Sequence, residues 1–177
     1  MFNFLQGAIV WLSGRIWFSL PLIVAVAGMM VTMMPMNLFG GWLPAPDIAL
    51  IAVFFWAIYG PAFLPPWAVL LLGLSHDFAS GAPIGFWAVL YLMAYGFTLS
   101  QRVFFIGRTG LGAWVGFMIV AAVTAASAWF LGSVVYMRWL PPTQIYLQAI
   151  ISIAFYLPMS KVFFFMRRML TTAREAL

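Results

Sequence analysis

Apolar runs follow one another along almost the whole chain, interrupted at short intervals by glycine, proline and isolated charges. A helix needs roughly 20 apolar residues to cross a bilayer, and the runs approach that length repeatedly. The first covers residues 16–38, entered through Arg15 and Trp17 and left through Phe39-Gly40-Gly41. Pro44 and Pro46 then precede Asp47, a helix-start signature, and the second run covers 47–59. Gly60-Pro61 and Pro65-Pro66 bracket a break before a third run over 67–75, and His76 to Pro83 reads as a loop. Three more runs cover 84–100, 111–136 and 145–165. The two runs beside Pro65-Pro66 are short for a bilayer, which predicts tilt, local thinning or partial depth. Ahead of them all, Phe2, Leu5, Ile9 and Leu12 recur at steps of three and four within residues 1–14. That spacing resembles a short interfacial helix, without the basic face such helices usually carry.

The pattern predicts an all-α fold, one integral membrane domain over 1–177 built as a polytopic bundle of six transmembrane helices. Composition strengthens this. The chain is 66% hydrophobic and 6% charged, with a mean hydropathy of +1.09, whereas a water-soluble domain carries about 25% charged residues. So few ions cannot cover a globular surface, so the surface is expected to face lipid. No soluble domain, low-complexity segment or repeat is discernible. The N-terminus lacks a basic region ahead of its apolar run and no A-x-A site follows, so no cleaved signal peptide is expected.

The net charge of +5 would suggest nucleic acid in a soluble protein. Here it reads as the cytoplasmic excess of Lys and Arg that meets anionic lipid, and no nucleic-acid partner is expected. With six spans, Arg15, Arg102, Arg108, Lys161, Arg167, Arg168 and Arg174 fall on one side. Only Arg138 falls on the other, with Asp47 and Asp77. This distribution predicts a bacterial inner-membrane protein with both termini cytoplasmic. A non-crossing hairpin over 47–75 would give four spans with the same parity; a single span there would give five and scatter the bases. Trp17, Trp42, Trp67, Trp114 and Trp139 lie near span ends, where an amphipathic ring anchors at the headgroups.

The chain offers little to a catalyst. Without cysteine, disulfides, thiolate catalysis and cysteine metal sites are excluded. Ser75-His76-Asp77 holds the residue types of a triad, but consecutive helical residues diverge by about 100° and cannot form one. One histidine and three scattered carboxylates are a poor metal source. Gly110-Leu111-Gly112 with Gly116 lacks both the P-loop lysine and dinucleotide-fingerprint spacing. A non-enzymatic protein without cofactor is expected.

Asp77 is the residue to single out, because a carboxylate in or beside a membrane is costly and usually functional or paired. Two readings stand and can coexist: a turn residue accepting backbone N–H bonds where the chain re-enters helix, and a contact for a partner or ligand. His76 reads as an interfacial polar residue. Asp47 complements the positive end of the second helix. Arg138, beside Trp139, reads as a contact for lipid phosphate or for a partner's acidic group, with lipid the default. Small residues recur at i, i+4 over 111–136: Gly112 and Gly116, Ala121 and Ala125, Ala122 and Ala126, Ala128 and Gly132. Such stripes let helices approach closely in lipid, either within the bundle or against a partner's helix. Met29, Met30, Met33, Met34 and Met36 form an adaptable apolar surface. Arg167 and Arg168, with Arg174 beyond, read as snorkelling lipid anchors.

Pro46-Asp47, then Gly73-x-x-x-Asp77-x-x-x-Gly81-x-Pro83-x-Gly85, then Pro158 followed by Phe163-Phe164-Phe165-Met166-Arg167-Arg168, resemble the MreD family of rod shape-determining proteins. The dense match covers about residues 45–100. The segment Leu43-Pro44-Ala45-Pro46 departs from the family in lacking an Arg-Pro pair. The resemblance implies a non-enzymatic inner-membrane scaffold of the bacterial elongation machinery, which makes peptidoglycan. It would bind MreC directly and work beside MreB, RodA and a class B penicillin-binding protein; self-association is compatible with it. The fold implied resembles the substrate-binding component of energy-coupling-factor transporters. Such a component, taking a vitamin or other small molecule, is the alternative function. Its usual Ala-x-x-x-Ala docking face on the first helix is missing, since Met29 follows Ala25 and Val31 follows Ala27.

Overall fold

The computed structural model describes residues 19–33, 44–105 and 110–175. Within them the chain is all-helical, with seven helices and no strand. They are α1 (Ser19–Met33), α2 (Ile48–Tyr59), α3 (Pro66–Ser80), α4 (Phe86–Ser100), α5 (Arg102–Phe105), α6 (Leu111–Val135) and α7 (Thr143–Glu175). The expected interfacial helix over 1–14 lies outside the described residues, as do Arg15, Trp17, Met34, Met36, Trp42 and Arg108.

Helix α2 is the axis of the fold. It is apolar on every side, which suits either a protein core or lipid, and here the core takes it. Eleven of its twelve residues are buried, and α4, α6 and α7 pack around it. Aromatic rings do much of the enclosing. Phe117 of α6 stacks on Tyr156 of α7 with centroids 4.7 Å apart. Phe54 of α2 meets both edge-on, at 5.3 Å and 5.7 Å. Such pairs contribute about 0.5–1.5 kcal/mol each beyond burial. Helix α2 is about 18 Å long at 1.5 Å per residue.

Both ends of this buried helix meet a charge of the favourable sign. Asp47 is its N-cap, accepting a hydrogen bond from the Leu50 N–H at 2.9 Å. At the far end the Arg102 guanidinium Nε donates to the Ile58 carbonyl at 2.9 Å. Unpaired N–H groups at a helix start favour an anion, and unpaired carbonyls at its end favour a cation.

Helices α6 and α7 are long and apolar enough to cross a membrane. Their most apolar stretches are only 33% and 17% buried, so beyond the residues that close over α2 most of their apolar side chains point outward. Val115, Ile119, Val123, Phe130, Ile150 and Phe155 are among the exposed side chains.

Three boundaries differ from the sequence expectation. The third helix does not end at Ser75: His76 to Ser80 remain helical and the turn starts at Gly81. Nothing in Ser75-His76-Asp77 breaks a helix, and the first residue suited to end one is that glycine, in the left-handed region at φ +66°. The last helix runs 143–175 rather than 145–165, carrying Arg167 and Arg168 on helical backbone, with Pro158 inside it. Between α4 and α6, α5 occupies part of the expected loop.

The chain runs back and forth between two ends. One end holds Asp47, His76, Asp77 and the α3–α4 turn, with Gly132 of α6 beside Phe86 and Arg138 one turn further on. The other holds Ile58 and Arg102, with Phe164 of α7 against Tyr59 just ahead of Arg167 and Arg168.

Candidate functional site

Buried Asp47, His76, Asp77 and Ser152 gather at one end of the described bundle. Asp47 follows Pro46 in an extended segment, so its side chain is free to fold back over the first turn of α2. Its own N–H donates to Ser152 Oγ at 2.8 Å, and Ser152 donates in turn to the Gln148 carbonyl at 2.7 Å. Tyr91 of α4 donates its hydroxyl to Asp47 Oδ1 at 3.0 Å. The same hydroxyl oxygen pairs with His76 Nδ1 at 2.5 Å. The His76 ring lies flat on Trp87, centroids 4.3 Å apart and planes 7° from parallel. His76 is 6% exposed, a buried member of a His76–Tyr91–Asp47 chain linking α3, α4 and α2.

Asp77 points the other way, toward the start of α4. Its Oδ2 accepts from the Gly85 N–H and its Oδ1 from the Trp87 N–H, both at 2.8 Å. The carboxylate thereby takes two donors that α4 cannot satisfy internally. Gly81 and Gly85 both have positive φ, +66° and +97°, the backbone that lets the chain turn within so few residues. Pro83 lies between them, its carbonyl accepting from the Phe86 N–H at 3.0 Å. Gly73 serves close approach instead. A Cβ there would collide with the Ala88 backbone, so α3 and α4 cross backbone to backbone. The glycine, aspartate and proline positions from 73 to 85 thus form one structural unit, a locked helical hairpin.

The small-residue stripe is divided. Gly116, Ala121, Ala125, Ala128 and Gly132 are buried within the bundle and Gly112 is half-buried, whereas Ala122 and Ala126 face outward. A Cβ on Gly132 would lie 3.0 Å from Leu140. Gly116 and Ala125 therefore seat α6 against its own neighbours. Arg167 is half-buried and Arg168 exposed; Arg174 lies on the last turns of α7. Trp67 and Trp139 are exposed, whereas Trp114 turns inward, its indole N–H donating to the Ile153 carbonyl at 3.0 Å.

Tyr91, Trp87, Ser152 and Gln148 did not stand out in the sequence, yet they complete the surroundings of Asp47 and His76. A signal was present for two of them. Trp87 and Tyr91 are four apart on one helix, one face, and only that spacing marked them among the many aromatic residues. No group of three or more His, Cys, Asp or Glu suited to a metal occurs among the described residues.

Compared with protein-family models, curated proteins and solved structures, the chain gives no match. A functional reading therefore rests on the residues and their geometry.

Proposed function

We propose that the protein is a multi-pass inner-membrane scaffold of the bacterial elongation machinery, similar to MreD, that binds MreC. The observation that carries this reading is the hairpin of residues 73–85. Gly73, Asp77, Gly81 and Gly85, on which the resemblance rests, each hold a backbone position there, so the motif specifies shape rather than chemistry. A rigid hairpin with apolar outer faces suits a protein that holds others in place. Six membrane crossings with cytoplasmic termini fit the separation of Asp47, Asp77 and Arg138 from Arg102, Arg167 and Arg168. Arg167, Arg168 and Arg174 then meet anionic lipid. MreB, RodA and a class B penicillin-binding protein would belong to the same assembly.

The alternative, a substrate-binding component of a vitamin transporter, finds less support. Ala25 and Met29 on α1 are buried, so that face is not offered to a coupling subunit. The cavity beside Asp47 is about 70 Å³, well under the roughly 300–1,000 Å³ of small-molecule sites. Purification from native membranes under mild detergent tests the proposal. MreC is expected among the co-purifying proteins, and recovery of an ATPase-bearing coupling complex instead would overturn it.

A further inference from the structure

A small, partly open cleft lies between α1, the start of α2, α3 and α7. It measures about 70 Å³ and is lined by Met29, Thr32, Met33, Asp47, His76 and Gln148, with Ala45 and Pro46. Asp47 and His76 are each more than nine-tenths buried. The direction of the hydrogen bonds decides what this space can hold.

An ionised carboxylate only accepts, so Tyr91 must donate its single proton to Asp47 Oδ1. The tyrosine oxygen is then the acceptor for His76, which places a proton on Nδ1. In the neutral imidazole the other nitrogen, Nε2, is left as a bare acceptor, and it has no hydrogen-bond partner among the described residues. Thr32 donates its hydroxyl proton to the Met29 carbonyl at 2.8 Å, which leaves only oxygen lone pairs to offer. The Met29 and Met33 sulfurs are weak acceptors. Gln148 can present its amide oxygen. Asp47 has about four lone-pair sites; Leu50, Tyr91 and the neighbouring Ala49 N–H occupy up to three of them. No Lys or Arg pairs with it among the described residues.

The space therefore presents a carboxyl group and a surplus of acceptors, which a cation with several N–H donors would complement. We infer that it is a binding site for a primary ammonium group. Such a group brings one positive charge and three donors. The volume, about 70 Å³ where a single water needs roughly 10–15 Å³, admits –NH₃⁺ on a short alkyl chain, and a quaternary amine would bring the charge without the N–H donors. The ammonium could come from a free amine or from a phosphatidylethanolamine headgroup.

The probe is methylammonium chloride, titrated into the full-length protein in detergent after delipidation, with sodium chloride at matched ionic strength and choline chloride as controls. The expected result is a saturable rise in melting temperature with methylammonium alone. Asp47→Asn should weaken the apparent affinity about tenfold, the scale of one hydrogen bond to a charged group. Because Asp47 also caps α2, Thr32→Val provides the second variant: it keeps shape, removes one acceptor and should weaken binding several-fold. Nanodiscs of phosphatidylethanolamine against phosphatidylcholine separate the sources. A higher melting temperature in the former, lost in Thr32→Val, identifies the headgroup; no difference, with the methylammonium response intact, identifies a free amine. The inference is overturned if methylammonium acts no differently from sodium or choline. It is equally overturned if both variants respond like wild type, or if only a soft metal such as Cu(I), suited to Met and His, shifts the melting temperature. MreC plays no part in this readout, so its outcome is separate from that of the scaffold proposal.

Discussion

At the scale of single residues, the three acidic side chains are not equivalent. Asp77 supplies two acceptors to the backbone at the start of α4, and its role follows from where the N–H groups point. Asp77→Leu leaves both donors buried and unpaired, a loss of about 1–3 kcal/mol. Asp77→Asn keeps one carbonyl oxygen and should lose less. Melting in detergent checks this, and equal melting temperatures for wild type and Asp77→Leu would remove the locking role. Asp47 joins a local cap to a network spanning α2, α4 and α7. Its cap was legible, because Pro46-Asp47 ahead of an apolar run is a start signal written in neighbouring residues. Its contacts with Tyr91 and Ser152 were not, since 44 and 105 residues separate the partners and nothing local connects them.

At the scale of elements, local pattern located every long helix but misjudged where two of them end. The run at α3 loses hydropathy at Ser75-His76-Asp77, and polarity resembles a loop when only sequence is seen. Once folded, those side chains turn toward Leu72, Tyr91 and the amides of α4, so the polar stretch is internal rather than solvated. The enclosure of α2 had no local signature either, because a lipid-facing helix and a protein-enclosed one are equally apolar. Its charged ends give a quantitative expectation. Asp47→Ala should cost about 1–2 kcal/mol as a lost cap, and Arg102→Ala a similar amount for a charged donor to a carbonyl. The two lie about 18 Å apart, and effects at that distance usually add within about 0.5 kcal/mol. A double-mutant cycle by denaturant or thermal melting measures this. A coupling well above about 1 kcal/mol would mean that α2 shifts as a rigid body when either end is released.

At the scale of the whole molecule, charge is separated along the bundle: the described end with Asp47, Asp77 and Arg138 is opposite the end with Arg102, Arg167 and Arg168. The absence of native cysteine makes this open to direct measurement. Under the proposed topology, Ile84→Cys and Met137→Cys, both at exposed positions, should react with a membrane-impermeant reagent added to the periplasmic side, while Val103→Cys should react only from the cytoplasm. Labelling of position 103 from outside would invert or abolish the proposed crossings. The enclosed axis has a bearing on biogenesis. Synthesis proceeds from the N-terminus, so α2 leaves the ribosome well before Phe117, Tyr156 and Phe163, the rings that close over it. In the proposed multi-pass scaffold, a twelve-residue helix would wait during that interval in a hydrocarbon layer about 30 Å thick, its Ile58 carbonyl without the Arg102 partner. On that reading the nascent chain would need either a sheltered site beside the insertion machinery or delayed integration of α2, and a chain halted before α7 would present quality-control proteases with an axis that has no shell.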